Sequence, residues 1–520
     1  MPFDRELSEL VRRKSRALGM GGDYKIEKQH ASGKLTARER IARLLDTESF
    51  MEVGMFNHSD MPGMEERTPA DSTVGGYGKI EGRWVIVLAD DFTVLAATTS
   101  RVALRKELEL KLESAHRGFP LIYLAETGGA RMPDIMGSKG LASFGGGGFD
   151  TMLHHLARVR QAPLITAILG ECYGNAMWYA CLSDFVVQVK GSAMAVSGPR
   201  ILNLALGESV TEEELGGWKV HSEITGIADR VAEDEEDCFR LIQQYLSYMP
   251  LHCWQVPPTS AVSQNSGSEM GEILRYLPEQ RNRAYDMSNI LRCIVDTGSL
   301  FPIKPSFGKT VITDLARIDG RVIGIVANQP LVHAGAMDTD GIDKVISFLC
   351  LCDSFNIPLI FFQDIPGFLV GKEAERKRVG VRVINFMNAL ALVSVPKISI
   401  IVRKAYGMAY WNMCGSGCGT DFLVAWPTAE MSFVAPEIAA NVVYGGKVSG
   451  QNKTQKGWEN LMQKMVDDSS PYGAAGMHYI HDVIDPRETR NYIIKALQIC
   501  QESRTKGLSE HKLANWPTKF

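Results

Sequence analysis

Two short stretches of this chain are placed to do chemistry without a reactive side chain. "ECYGNAMWYA", residues 171–180, and "RKAYGMAYW", residues 403–411, each leave an apolar run through a glycine and enter a helical pattern. The N–H groups of Gly174 and Asn175, and of Gly407 and Met408, then fall in a helix first turn. Backbone donors there have no intrahelical acceptor and sit at the positive end of the helix dipole. Such donors suit a developing anion, for example an enolate oxygen. The turns Gly128-Gly129-Ala130 and Pro366-Gly367-Phe368 end the preceding apolar runs and offer a second donor to each. Two oxyanion holes result, one per half of the chain. The alternative at each turn is that glycine only relieves sterics, and the residues alone leave it open. The turns are nearly empty of His, Cys, Asp and Glu; Glu126 and Asp364 are the exceptions and read as turn-stabilising carboxylates rather than as acids or bases.

The elements that must position these turns are themselves repeated. "IEGRWVIVLADD" from Ile80 and "IDGRVIGIVANQ" from Ile318 lie 238 residues apart, and Pro120 and Pro358, which open the next apolar runs, keep the same offset. Pro163 and Pro396, ahead of the two glycine stretches, are 233 apart, a drift that one loop absorbs. "SRVALRKELELKLESAH" and "GIDKVISFLCLCDSF" place apolar residues at three- and four-residue steps and read as helices between the first two strands. Short, continuously apolar strands alternating with helices imply parallel pairing with both faces covered. The expectation is an α/β protein of two tandem duplicated domains, residues 1–256 and 272–520, joined by the Pro-, Ser- and Gly-rich segment 257–271.

Composition removes other classes. With 520 residues, 45% apolar, 22% charged and a formal net charge of −4, the chain has the balance of a globular protein and no basic excess for nucleic acid. No apolar stretch approaches the length of a membrane span and the start has no signal-peptide core, so a cytoplasmic protein with no membrane partner is expected. The ten cysteines form no paired C-x-x-C, so they read as reduced thiols without a metal.

Eight segments, in order, resemble the carboxyltransferase subunits of biotin-dependent acyl-CoA carboxylases and their relatives, the biotin-dependent decarboxylases and transcarboxylase. They are "GKLTARERIARLLD" (33–46), "DDFTV" (90–94), "GGAR" (128–131), "VTEEELGGWKVH" (210–221), "ANQP" (327–330), "DIPGF" (364–368), "RKAYGMAY" (403–410) and "AWPTAE" (425–430). The resemblance covers nearly the whole chain. It implies tandem crotonase-like domains in hexamers, trimers of dimers, whose active sites lie between the first half of one subunit and the second half of another. Acyl-CoA is then held mainly by the first half and biotin by the second. The implied chemistry transfers a carboxyl group from carboxybiotin to the α-carbon of a coenzyme A thioester through an enolate, with no side-chain base. Gly129, Ala130, Gly174, Asn175, Gly367, Phe368, Gly407 and Met408 become the oxyanion residues. Arg38, Arg131, Ala176, Trp178, Ala409 and Trp411 become the substrate-binding residues. Thr36 and Glu39 form a capping box at the start of a helix bearing Arg38, Arg40 and Arg43, which the resemblance sets near CoA and which reads equally as a solvated charged face. The chain carries neither a biotinylation site nor a G-x-x-x-x-G-K-[ST] loop, so biotin carrier and biotin carboxylase are expected to be separate partners.

The chain departs from the family pattern at specific places. Asn175 and Met408 stand where relatives read a second glycine. Trp178 and Trp411 are repeat-equivalent; either they shape the acyl pocket or they are core aromatics. Lys372 to Arg378 read as a mobile charged lip, and "SFGGGGFD", residues 143–150, as a flexible loop on the CoA side. Three further readings stay open: a biotin-dependent decarboxylase subunit, which "GKEAE" from Gly371 favours; a non-catalytic subunit of a hetero-oligomer; and a biotin-independent crotonase-type enzyme.

Overall fold

The computed structural model describes residues 3–144, 159–444 and 455–516. The expected glycine loop from Gly145 to Asp150 lies outside them. The chain divides between Cys253 and Trp254 into two compact units. Residues 257–271, expected as a linker, belong to the second unit. There the Ser260 N–H donates to Gly320 O at 2.9 Å, Arg317 Nη1 donates to Pro258 O at 2.8 Å, and Ser268–Tyr276 forms 3-10 turns.

In the first unit the strands are β1 (Met51–Val53), β2 (Thr73–Ile80), β3 (Arg83–Asp90), β4 (Leu121–Thr127), β5 (Leu164–Tyr173), β6 (Phe185–Val189), β7 (Ala193–Ala195) and β8 (Arg230–Ala232). They pair in the order β1-β2-β3-β4-β5-β6-β8, with β7 added beside the end of β5. From β3 to β8 every pairing is parallel, whereas β1-β2-β3 are antiparallel. In the second unit β9 (Phe301–Pro302), β10 (Val311–Ile318), β11 (Arg321–Asn328), β12 (Leu359–Ile365), β13 (Lys397–Tyr406), β14 (Phe422–Ala425), β15 (Glu430–Ser432) and β16 (Asp482–Val483) repeat that order strand for strand.

Strands β2 and β10 were hidden in the sequence. "TVGGYGKI" carries three glycines, which weaken any strand signal. What fixes it is the two-residue turn after it, where Glu81 and Gly82 (φ 51° and 77°) and Asp319 and Gly320 (φ 51° and 73°) both adopt positive φ, as a hairpin turn matched to strand twist requires. The two anticipated helices form as Arg101–Arg117 and Thr339–Ser354. The Thr36 capping box forms in full. Lys372–Arg376, expected as a mobile lip, is one exposed helical turn followed by the Val379–Leu392 helix.

Candidate active site

Each half builds its site at the carboxyl ends of two neighbouring parallel strands. The β4–β5 register slips between Ala125 and Thr127, and the β12–β13 register slips at the equivalent Gln363 and Ile365. Four residues of β5 or β13 thus oppose two of its neighbour, which bends the strand end toward the adjacent turn. Gly174 (φ 66°) and Gly407 (φ 56°) then reverse the chain into the helices Asn175–Leu182 and Gly407–Asn412. The companion turns are held alike: Thr99 bridges Ala130 and Met337 bridges Phe368. The anchoring hydrogen bonds match as well, Thr99 N–H to Gly129 O at 2.9 Å and Met337 N–H to Gly367 O at 3.1 Å. An ideal Cβ on Gly129 would lie 3.6 Å from Tyr173 O, so the two first-half turns are neighbours.

The donors differ from the expected set. The Gly174 N–H is spent on Ala195 O at 3.1 Å, and the Gly129 N–H on Thr127 Oγ1 at 3.1 Å. Neither is available to a ligand. Among the described residues no acceptor takes the Ala130 N–H, and Asn175, Ala176 and Met177 supply the helix first turn, since Trp178 N–H is the first to bond back, to Gly174 O. In the second half Ile365 replaces Thr127 and has no hydroxyl to capture Gly367. Both Gly367 and Phe368 keep N–H groups without an acceptor among the described residues. Met408 and Ala409 occupy the first turn there.

The carboxylates beneath the turns are neutralised in two different ways. Glu126, fully buried, meets Arg40 and Lys34, each at 2.7 Å, and accepts Gln29 Nε2 at 2.8 Å. Arg40 bridges onward to Glu235 at 2.7 Å. Burial works against the Arg40 cation, yet the hydrogen bonds and charges of Glu235 and Glu126 outweigh it and hold the guanidinium above its ordinary pKa. Gly170 makes room for this group, because a Cβ there would stand 2.5 Å from Glu126 Oε1. The repeat-equivalent of Gly170 is Arg403, which fills that space itself and pairs with Asp364 at 3.2 Å, while Lys404 N–H donates to Asp364 at 3.1 Å. Asp364 thus ties down the strand end that leads into Gly407, whereas Glu126 bonds Gln29, Lys34 and Arg40 rather than either turn.

The proposed substrate residues separate into groups. Arg38 is committed to Glu52 through two hydrogen bonds of 2.7 and 3.0 Å, and the exposed Arg43 pairs with Glu236. Arg131 is buried and bonds Asp71 Oδ1 (2.7 Å), Ser72 Oγ (2.9 Å) and Thr98 O (2.8 Å), so it anchors the Gly129-Ala130 turn from behind. The side chains of Ala176 and Ala409 are buried in the core and leave only their backbone to a ligand. Trp178 is 51% exposed, against a core role. Trp411 packs tilted on Tyr410, 5.9 Å between ring centres, and lines a cavity of about 340 Å³ together with Gly407, Met431, Phe433, Met477 and Tyr479. Sequence reasoning missed the fastening of the two strands that lead to Gly407 and Met431. Arg281 bonds Glu430 Oε1 at 2.9 Å, and Tyr406 donates to Glu430 Oε2 at 2.6 Å. Burial raises the Glu430 pKa, but these hydrogen bonds more than offset it and keep the carboxyl below its usual range.

Among the described residues no cluster of His, Cys, Asp and Glu is placed to hold a metal, and no helix is long and apolar enough to cross a membrane. Each half presents main-chain donors at its strand ends, and the second adds an aromatic cavity.

A carboxyl transferase domain model matches residues 28–513. The alpha subunit of methylmalonyl-CoA decarboxylase from Veillonella parvula is 35% identical over 93% of this chain and 93% of its own length. The carboxyltransferase subunit of propionyl-CoA carboxylase from Haloferax mediterranei is 34% identical over 99% of this chain and all of its own. Among solved structures, transcarboxylase 12S, described as a hexamer and solved with methylmalonyl-coenzyme A and methylmalonic acid bound, superposes with a TM-score of 0.89 at 32% identity over 97% of each chain.

Proposed function

The chain belongs to the carboxyl transferase family, and from that premise we propose how its two halves divide the reaction. It is a carboxyltransferase of the biotin-dependent acyl-CoA carboxylase class, with tandem crotonase-like domains. Our reading assigns the acyl-CoA thioester to the first half, its oxygen facing the N–H groups of Ala130 and Asn175. The biotin ring takes the second half, its carbonyl facing Phe368 and Met408 beside the aromatic cavity. Carboxybiotin, carried by a separate protein, supplies the carboxyl group and, once stripped of it, a basic nitrogen. The chain lowers the energy of the enolate by presenting preorganised donors that need no reorientation as charge develops. No side chain has to accept the α-proton. Glu126 and Asp364, each two residues before a companion turn, are tied up in ion pairs and hydrogen bonds.

The observation that carries this reading is the repetition of the same slipped register, positive-φ glycine and bridged companion turn in both halves. Packing alone would preserve strands and helices; it gives no reason to keep exposed donors at both strand ends. Main-chain donors also explain how Asn175 and Met408 are tolerated, since any residue but proline keeps its N–H.

Carboxylation of the acyl-CoA is the direction we favour. The Veillonella relative, a decarboxylase subunit of comparable identity, makes the reverse a second reading through the same enolate. We further propose a hexamer working with a biotin-carrying partner and a biotin carboxylase. The ten cysteines, all among the described residues, form no disulfide, as suits a reducing compartment such as the cytoplasm. The test supplies the purified protein with a carboxylated biotin carrier and a panel of acyl-CoA thioesters, and follows labelled carboxyl transfer both ways. Transfer to at least one thioester is expected; none in either direction, from a correctly assembled oligomer, refutes the reading.

A further inference from the structure

The first half contains a buried charge network that the second half lacks. Glu107 and Lys111 stand one turn apart on the Arg101–Arg117 helix and so share a face; their side chains are 1% and 0% exposed, with Lys111 Nζ 3.3 Å from Glu107 Oε2. Lys111 Nζ also lies 3.0 Å from the centre of the Tyr179 ring. Glu107 Oε2 accepts Asn175 Nδ2 at 3.4 Å. Asn175 and Tyr179 are themselves one turn apart on the helix whose first turn carries the donors. The ion pair thus grips that helix twice, at its first residue and one turn later. Beside it Tyr123 meets Tyr179 edge-on, 5.7 Å between ring centres, and donates its hydroxyl to Asp90 at 2.7 Å.

At the repeat-equivalent positions the second half has Val345 for Glu107, Leu349 for Lys111, Phe361 for Tyr123 and Met408 for Asn175. Val345, Leu349 and Phe361 are fully buried, so the same architecture closes with apolar side chains alone. A buried ion pair is commonly no better for stability than an apolar filling of similar volume. Stability therefore does not account for its presence in one half only. Asn175, moreover, does not crowd a ligand with its amide, which is drawn back toward Glu107.

We infer that Glu107, Lys111 and Asn175 form a positioning clamp that fixes the first-half helix start for turnover of the thioester. The inference rests on the reading of that turn as the thioester's oxyanion site. The clamp's side chains touch no reacting atom; they act through the N–H groups of the first turn. The second half, which holds the other ligand, works without one.

The experiment compares the parent protein, its carboxylated carrier and whichever acyl-CoA it turns over with the variant E107V/K111L, which installs the second half's own residues at both positions. The double variant is expected to assemble normally and to melt within a few degrees of the parent. Its kcat should fall at least tenfold while KM for the acyl-CoA stays within about threefold, the split that marks a loss confined to the transition state. N175A should lose kcat similarly, and the triple variant E107V/K111L/N175A no more than the larger of the two, as expected for groups acting as one unit. Parental kcat in the double variant, or a kcat loss that is additive in the triple, overturns the clamp and leaves the site reading intact. A parent inactive on every thioester overturns the site reading and the clamp with it.

Discussion

Replacing Gly407 and Gly174 separately by alanine tests whether the helix starts are set by backbone conformation. Both glycines have positive φ, 56° and 66°, a conformation that costs an L-residue on the order of 1–3 kcal/mol. Beyond that the two sites differ. A Cβ on Gly407 would stand 2.8 Å from Phe433 O, a backbone oxygen that cannot rotate away, whereas the nearest atom to a Cβ on Gly174 is Val196 O at 3.9 Å. Gly407→Ala must therefore also push the first helical turn off by a few tenths of an ångström, and the Met408 N–H moves with it. Losing one oxyanion donor of this type costs roughly 2.7–4 kcal/mol of transition-state stabilisation, about 100- to 1000-fold in kcat; partial misalignment should take about 10- to 100-fold. Gly174→Ala should lose stability of about 1–3 kcal/mol, roughly 2–12 °C in Tm for a unit of this size, with the smaller loss of kcat. Thermal unfolding and steady-state carboxyl transfer measured on the same preparations decide it. Parental turnover in Gly407→Ala, or a greater kcat loss in Gly174→Ala, would refute the argument that these turns place the donors.

Three other expectations follow from the buried groups and the cavity. Arg40→Met strips Glu235 of both its hydrogen bonds from Arg40 and leaves Glu126 with Lys34 and Gln29; denaturant unfolding should show a loss of about 3–5 kcal/mol, and a loss under 1 kcal/mol would contradict the buried network. Asp90 is held by burial, and next by the charge of Glu107, up to about 8 from an ordinary 3.8. The folded chain thus keeps a proton that the unfolded chain releases between those values. Its contribution to stability is full below about pH 4 and is lost as pH rises to about 8, at up to roughly 1.4 kcal/mol per pH unit. Asp90→Asn, which copies Asn328 of the second half, should flatten that decline, and melting curves whose difference from the parent does not change with pH would exclude it. Trp411→Ala enlarges the second-half cavity of about 340 Å³, which in the proposed hexamer would receive the acyl end of a thioester held by another subunit's first half; the ratio of kcat/KM for a longer to a shorter acyl-CoA should rise at least tenfold, and an unchanged chain-length profile would remove Trp411 from the acyl pocket.

The sequence by itself determined the duplication, the alternation of strands and helices, and the two glycine turns. These are properties of local pattern: apolar runs of strand length, helical periodicity and residues that alone tolerate positive φ. The capping box at Thr36 was legible for the same reason, since it is set by residue types at short spacing, whereas the partners that hold Glu126 and Asp364 lie far along the chain. Only the tertiary structure decided which amides remain free. Gly129 looked like a donor until the Thr127 hydroxyl was seen to claim it, and Gly174 until β7 paired beside it. Arg38 and Arg131 looked like ligand-binding cations until Glu52 and Asp71 were placed against them. Glu107, Lys111 and Asn175, 64 residues apart between Lys111 and Asn175, carried no signal as a group. Whether a donor or a charge is spent depends on partners brought close by strand order and register, and a sequence read along its length does not encode those distances in any local pattern.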